Sequence, residues 1–157
     1  MPSQNNLDKT YLEIARVWSK LSKANRQKVG CIIVKEGSII SDGYNGTPIG
    51  FDNTCETSIM PESITSKNLS DHPSNAWITK PEVLHAESNA ITKLAKSTQS
   101  SKDSTMYITI SPCIECAKLI IQSGISRVVY RNNYRNLDGV NLLLKADIEV
   151  ECYENKI

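Results

Sequence analysis

The chain has 157 residues, of which 18 are basic and 17 are acidic, so its net charge at pH 7 is +1. This length suits one core, and we predict a single domain over residues 1–157 that buries roughly 70% of its unfolded surface. A protein that holds nucleic acid usually carries a strong basic excess. The balanced charge therefore argues against a nucleic-acid partner and favours a small-molecule substrate.

Residues 1–9 are polar, and no apolar run approaches the length that spans a bilayer. We therefore expect neither a signal peptide nor a membrane partner. The five cysteines are an odd number, and two of them have the spacing of a metal site. That usage suits a reducing compartment better than a disulfide framework, so the expected location is cytoplasmic.

The first part of the chain has a helical pattern followed by a β-hairpin pattern. Apolar residues recur at helical spacing over residues 7–24, and Trp18 falls among them, which favours a core position for it. Residues 29–34 and 39–44 are β-rich, and the turn residues at 35–38 join them into a hairpin.

Residues 45–81 carry turn residues and little periodicity, and they are too many for a plain connection. We predict an insertion or lid there. The elements that follow are predicted as helix 85–95, strand 106–110, helix 113–122, strand 128–130, a helix from about residue 138 and strand 148–153. The resulting order, α-β-β-α-β-α-β-α-β, indicates an α/β fold with helices on both faces of a mixed sheet.

Two short motifs concentrate the chemistry, HAE at positions 85–87 and PCIEC at 112–116. His85, Cys113 and Cys116 offer three ligands to a metal that prefers four, and the open fourth position distinguishes a catalytic zinc from a structural one. Glu87 is close enough in sequence to exchange protons with a water at that position. The motifs together predict a zinc hydrolase that deaminates a nucleobase.

Both motifs fall where a helix is predicted to begin. Cys113 and Cys116 are three apart, so they face the same way on a first helical turn, where the helix dipole favours thiolates. His85 and Glu87 would diverge by about 200° in a regular helix. They converge only if His85 lies at the irregular start of the helix.

The competing interpretation is a redox pair or a structural metal site. A structural zinc needs a fourth protein ligand, and the only other histidine is His72. Because both halves of the deaminase pattern occur in order with one strand between them, the catalytic interpretation is favoured.

Longer stretches resemble a known family. They are KVG at 28–30, DGYNGTPIG at 42–50, HAESNAI at 85–91 and SPCIECAKLIIQSGI at 111–125. On these stretches the chain resembles, over nearly its full length, the deoxycytidylate (dCMP) deaminases of the zinc-dependent cytidine/deoxycytidylate deaminase superfamily. The resemblance implies a cytidine deaminase-like three-layer α-β-α sandwich with a five-stranded mixed sheet. It also implies conversion of dCMP to dUMP and ammonia, which supplies dUMP for thymidylate synthesis.

The resemblance assigns roles to the motif residues. His85, Cys113 and Cys116 are expected to bind one catalytic Zn²⁺ per chain, and Glu87 is expected to be the proton shuttle. A second zinc in the insertion, as in some relatives, is not expected, because the insertion offers only Cys55 and His72.

The resemblance also suggests substrate contacts. Asn45 is expected to hydrogen-bond the sugar, the Ala86 N–H the pyrimidine carbonyl, and Tyr134 the substrate phosphate. Arg26 and Lys28, just before the first strand, are further candidates for the phosphate, with ordinary solvated charge as the alternative.

Regulation and assembly are implied in the same way. The family is typically a homohexamer that dCTP activates and dTTP inhibits, with Mg²⁺ accompanying the triphosphate effector. Gly43, Tyr44 and Gly46 match the turn around which the effector site is built.

Four alternatives stay open at this point. The chain could be a tRNA adenosine deaminase, although such enzymes have a short connection where this chain runs from 50 to 84 and need a basic RNA face. It could deaminate free cytidine or a free base, or accept dCTP as well as dCMP. The non-enzymatic alternative is a nucleotide-sensing protein with a dead site.

Overall fold

The computed structural model describes residues 1–58 and 77–154. The helices are α1 (Gln4–Ser19), α2 (Ala86–Leu94), α3 (Ile114–Gln122) and α4 (Asp138–Lys145). The strands are β1 (Gly30–Lys35), β2 (Ser38–Tyr44), β3 (Glu56–Ser58), β4 (Trp77–Thr79), β5 (Thr105–Ile110), β6 (Arg127–Asn132) and β7 (Glu149–Cys152). Within the described ranges, no helix combines the length and the apolar character needed to cross a membrane.

Five strands form one mixed sheet in the order β2-β1-β5-β6-β7. Strand β1 runs antiparallel to both of its neighbours, whereas β5, β6 and β7 are parallel and are connected through α3 and α4. Helix α1 packs on one face, and α2, α3 and α4 cover the other. The predicted three-layer fold with a five-stranded mixed sheet is confirmed.

The core lies on both faces of the sheet, as expected for central strands that helices cover on both sides. In β5, side chains alternate between the two layers: Met106 and Ile108 pack toward α2–α4, and Tyr107 packs toward α1. The cluster under α1 comprises Leu12, Ala15, Ile32, Val34, Tyr107, Val129 and Tyr153. The central strands therefore give the helix starts at the sheet edge a rigid support.

Helix α1 ends at Ser19, so the prediction that it continues to residue 24 was wrong. The Ser22 hydroxyl donates to the Asn45 carbonyl oxygen at 2.7 Å and accepts from the Ala24 N–H at 3.2 Å. These bonds turn the chain toward the end of β2. Trp18 is half-buried, and its indole N–H donates to Asp42 at 2.8 Å.

The insertion contains a two-stranded sheet that the sequence did not predict. Strands β3 and β4 pair antiparallel, with Glu56 opposite Thr79. Each strand has only three residues, too few for a periodic pattern to be visible. The centre of the predicted lid, residues 59–76, lies outside the described residues.

Candidate active site

The start of α2 determines where His85 and Glu87 lie. His85 is the N-cap, with extended backbone angles of φ −70° and ψ 158°, and Ala86 is the first helical residue. Leu84, just before it, exchanges backbone hydrogen bonds with Gly46 at 2.8 and 3.1 Å, which anchors the entry to the helix. Because His85 precedes the regular helix, its side chain is not forced to point about 200° away from that of Glu87, as it would be within a helix. Glu87, in the first turn, is only 4% exposed.

The start of α3 positions the two cysteines. Cys113 is its N-cap, and the Cys113 sulfur accepts from the backbone N–H of Cys116 at 3.5 Å. The segment before it is held to the sheet, because the Ser111 N–H donates to the Asn132 carbonyl oxygen at 2.9 Å. Both thiols therefore belong to a helix N-terminus at the carboxyl end of β5.

The three side chains meet at one point. His85 Nδ1 lies 3.5 Å from Cys113 Sγ and 3.4 Å from Cys116 Sγ, and all three ligand atoms lie within 4.8 Å of one another. When one tetrahedral zinc ion binds a histidine nitrogen and a cysteine sulfur at ordinary bond lengths, the nitrogen and the sulfur lie about 3.6 Å apart. The donor set and the spacing therefore fit Zn²⁺. Across residues 1–58 and 77–154, this is the only such cluster of three or more metal-ligating side chains.

The electrostatics of the cluster also suit a cation. The hydrogen bond from the Cys116 thiol, with further bonds from His85 and the Cys116 N–H, outweighs burial and lowers the pKa of Cys113 to about 3. The same Cys113–Cys116 bond and burial raise the pKa of Cys116. A low pKa at Cys113 favours the thiolate form, which is the form that binds a metal ion. Burial raises the pKa of Glu87 to about 6, as proton exchange near neutrality requires.

One cavity adjoins the cluster and gathers most of the predicted site residues. His85, Ala86, Glu87, Cys113, Asn45, Arg26 and Tyr134 all line it. It is also lined by Gln27, Glu56, Ser111 and Arg135, which the sequence analysis did not select. Arg135 could have been found, since it directly follows Tyr134, whereas Glu56 lies in the insertion with no motif around it.

Asn45 and Tyr134 are held by hydrogen bonds that the sequence did not reveal. Asn45 Oδ1 accepts from the Val29 N–H, and its Nδ2 donates to the Gln27 carbonyl oxygen, both at 2.8 Å. An amide has two N–H donors, so Asn45 retains donor capacity for a ligand. The backbone N–H of Tyr134 donates to Ser111 Oγ at 2.8 Å, which ties Tyr134 to the segment before Cys113.

Five predicted residues are not part of the cavity wall: Cys116, which belongs to the metal cluster behind it, and four others. Lys28 is exposed and is not part of the cavity wall. Gly43 packs against α2 so closely that a Cβ there would lie 2.2 Å from the Ala86 carbonyl oxygen. The Tyr44 carbonyl oxygen accepts from Asn89 at 3.0 Å, and Gly46 bridges to Leu84. These contacts give the glycine turn a packing role; its predicted effector role stays a prediction.

The three-layer fold, the His-Cys-Cys cluster at two helix starts and the buried glutamate beside it define a zinc-dependent nucleobase deaminase. Residues 5–132 match the family model for the cytidine and deoxycytidylate deaminase zinc-binding region. The chain belongs to that family.

The proteins similar to this chain include deoxycytidylate deaminases. The chain is 38% identical to a deoxycytidylate deaminase of Enterobacteria phage T4, over 90% of this chain and 86% of that protein. It is also 38% identical to a human deoxycytidylate deaminase, over 78% of this chain and 63% of the human protein. The crystal structure of a dCMP deaminase from the cyanophage S-TIM5 in complex with dCMP and dUMP superposes with a TM-score of 0.80. That match has 39% identity and covers 96% of this chain and 99% of the cyanophage chain.

Proposed function

We propose that this chain is a zinc-dependent hydrolase that deaminates dCMP to dUMP and ammonia. The observation that carries the proposal is the convergence of His85, Cys113 and Cys116 at the edge of a cavity that the buried Glu87 also lines. The similarity to deoxycytidylate deaminases over most of the chain supports dCMP as the substrate.

His85, Cys113 and Cys116 would hold the zinc. When bound, zinc supplies Lewis acidity that brings the pKa of a water molecule toward about 7. Glu87 takes a proton from the attacking water and delivers it to the ring nitrogen of cytosine. The water oxygen bonds to the ring carbon that carries the exocyclic amine. Glu87 then moves the remaining proton of that oxygen to the amine, the carbon–nitrogen bond breaks, ammonia leaves and the oxygen stays as the carbonyl of uracil. Burial of Glu87 supports this role, because a carboxyl group with a raised pKa can both accept and donate near neutral pH.

The cavity wall suggests how the nucleotide is oriented. The Ala86 N–H at the start of α2 is proposed to contact the pyrimidine carbonyl, and Asn45 the sugar. Arg26 and Tyr134, joined by the newly found Arg135, supply positive charge and a hydroxyl for the 5′-phosphate. Lys28 is the weakest phosphate candidate, since it is exposed and outside the cavity wall.

Regulation, assembly and location are proposed on the resemblance alone. They comprise activation by dCTP, inhibition by dTTP with Mg²⁺, an effector site around Gly43, Tyr44 and Gly46, a homohexamer and a cytoplasmic location. Sedimentation of the protein with and without each triphosphate tests the assembly, and the substrate-saturation curve under the same conditions tests the regulation.

Ammonia release tests the reaction. The zinc-loaded protein is assayed with dCMP, dCTP, deoxycytidine and an adenosine-containing tRNA stem-loop. Turnover of dCMP is expected, and its loss with deoxycytidine would establish that the 5′-phosphate is recognised. Turnover of dCTP at a similar rate would indicate dual specificity. Turnover of the RNA alone, or bound zinc with no turnover of any substrate, would overturn the proposal in favour of a tRNA deaminase or a nucleotide-sensing protein.

A further inference from the structure

Asn45 is followed by Gly46, and this is the only Asn–Gly pair in the sequence. In such a pair the backbone nitrogen of the glycine is able to attack the side-chain amide carbon of the asparagine, because glycine has no Cβ to shield that nitrogen. Asn45 also lines the active-site cavity. A chemically reactive dipeptide therefore forms part of the cavity wall.

The reaction open to this pair is spontaneous deamidation, which needs no co-reactant except water. A bond forms between the Gly46 nitrogen and Asn45 Cγ while the bond from Cγ to Nδ2 breaks. Nδ2 leaves as ammonia and takes the proton of the Gly46 nitrogen with it. Water then opens the cyclic imide at either carbonyl carbon, so the product carries aspartate or isoaspartate at position 45.

In the folded protein the attacking nitrogen is engaged in a backbone bridge. The Gly46 N–H donates to the Leu84 carbonyl oxygen at 3.1 Å, and the Leu84 N–H donates to the Gly46 carbonyl oxygen at 2.8 Å. Gly46 is also buried. The nitrogen therefore becomes free to react only when the segments around Gly46 and Leu84 separate.

The asparagine side chain is held as well. Asn45 Oδ1 accepts from the Val29 N–H, and Nδ2 donates to the Gln27 carbonyl oxygen, both at 2.8 Å. Because the reaction removes Nδ2, it also removes the hydrogen bond to Gln27. The folded structure thus opposes deamidation at both reacting groups.

The bridge adjoins the first metal ligand. Leu84 directly precedes His85, the N-cap of α2. A metal ion held by the His-Cys-Cys cluster ties the start of α2 to the start of α3, so it lowers the population in which the segment before His85 moves away from Gly46. We propose that Asn45–Gly46 is a modification site, intact while zinc holds the start of α2 and irreversibly deamidated after prolonged loss of the zinc.

Modification removes an amide from the cavity wall. A carboxylate at position 45 has no N–H to donate, and its negative charge faces the Gln27 carbonyl oxygen. Zinc returned promptly restores activity, whereas zinc returned after modification binds to intact ligands without restoring turnover. This loss of turnover rests on the proposed function, in which Asn45 contacts the substrate; the modification itself does not.

The test follows the peptide that contains Asn45 by mass spectrometry during incubation in mildly alkaline buffer. The protein is incubated zinc-loaded, chelated, and unfolded in urea as the reference for an unrestrained chain. Deamidation of Asn45 is expected to be about tenfold or more faster in the chelated than in the zinc-loaded protein. Asn89 is the internal control: its Nδ2 donates to the Tyr44 carbonyl oxygen at 3.0 Å, but Ala90 follows it, so it should stay unmodified in both folded samples.

Gly46→Ala is the matched variant. An added Cβ would meet nothing closer than 3.8 Å and would shield the attacking nitrogen, so chelated Gly46→Ala is expected to keep Asn45 intact. Deamidation of this variant at the wild-type rate would contradict the mechanism.

Two results on the wild-type protein, which need no variant, would also count against the proposal. Equal rates at Asn45 in the zinc-loaded and chelated samples would overturn protection by zinc. Full turnover by a completely modified sample, after zinc is returned, would overturn the inactivation. Mass spectrometry detects the modification even in a protein that turns over no nucleotide, so failure of the proposed function is distinguishable from failure of this proposal.

Discussion

Asp8 in α1 and Arg127 at the start of β6 form a bidentate ion pair between the helix and the sheet. The two terminal nitrogens of Arg127 donate to the two carboxylate oxygens of Asp8, each at 2.8 Å. The Tyr107 hydroxyl donates to the same carboxylate at 2.7 Å. The Asp8 side chain is 2% exposed and that of Arg127 12%, so the pair is well shielded from water. It joins the layer formed by α1 to the central strands.

Asp8→Ala is expected to lower the free energy of unfolding by about 2–3 kcal/mol. The buried Tyr107 hydroxyl loses its acceptor, and the shielded Arg127 guanidinium keeps only its ion pairs with Glu149 and Glu151. Urea denaturation measures the change.

The control is Glu13→Ala, which removes surface ion pairs with Arg16 and Arg131 and should change stability by less than about 1 kcal/mol. Equal effects from the two variants would contradict the importance of the buried pair.

The contribution of Asp8 should depend on pH. Burial raises the pKa of Asp8, but hydrogen bonds from Arg127, Tyr107 and Gln4 outweigh it, so the pKa lies below its ordinary value in the folded protein. The stabilisation is therefore complete above the unfolded pKa of about 3.9 and is lost as the pH falls through the lower folded pKa. The stability difference between wild type and Asp8→Ala should be constant from pH 5 to 7 and should shrink below about pH 4. A difference that grew on acidification would contradict this sign.

Glu87→Gln is expected to retain zinc and to lower kcat by about 10²-fold to 10⁴-fold, because the three ligands remain while the proton shuttle is removed. Zinc content by atomic absorption and ammonia release from dCMP are measured on the same preparation. Retention of most activity would rule out the proton-transfer role of Glu87.

Cys113→Ser tests whether Cys113 binds zinc while the N-cap of α3 is preserved. Serine is a preferred N-cap, so it can replace the sulfur that accepts from the Cys116 N–H. The variant is expected to keep its circular dichroism spectrum but to lose zinc and activity, since a hydroxyl is a poor zinc ligand. The parallel experiment is chelation of the wild-type protein, which should lower both activity and melting temperature until zinc is restored. Full zinc content in the variant would contradict the ligand assignment.

Gly43→Ala is expected to lower the free energy of unfolding by about 1–3 kcal/mol, because its Cβ would lie 2.2 Å from the Ala86 carbonyl oxygen and push α2 away. Gly46→Ala is the matched control for stability. A Cβ there would meet nothing closer than a Tyr44 ring carbon at 3.8 Å, so no comparable loss is expected. Thermal unfolding compares the two variants, and similar melting temperatures would show that α2 accommodates the methyl group.

Several features could be predicted because their signals are local. The two ligand motifs coincide with helix starts, and the spacing of Cys113 and Cys116 by itself brings two sulfurs to one side of a first turn. Strands of the central sheet are apolar enough to be recognised, and their order with the helices implied the α/β class. The predicted end of α1 was wrong because a hydrogen bond from Ser22 to the distant Asn45 turns the chain, and a local pattern contains no information about that contact.

The sequence by itself determined the zinc chemistry and the deaminase family, because ligand type and spacing carry that information within a few residues. Only the tertiary structure decided the rest of the active-site cavity. Glu56 and Arg135 enter it from a three-residue strand and a loop whose sequence has no motif. One carboxylate oxygen of Glu56 accepts hydrogen bonds from two backbone N–H groups that lie 30 and 31 residues earlier in the chain, and the other oxygen is left without a partner. Such contacts depend on the folding of distant segments onto one another, and residue spacing cannot encode them.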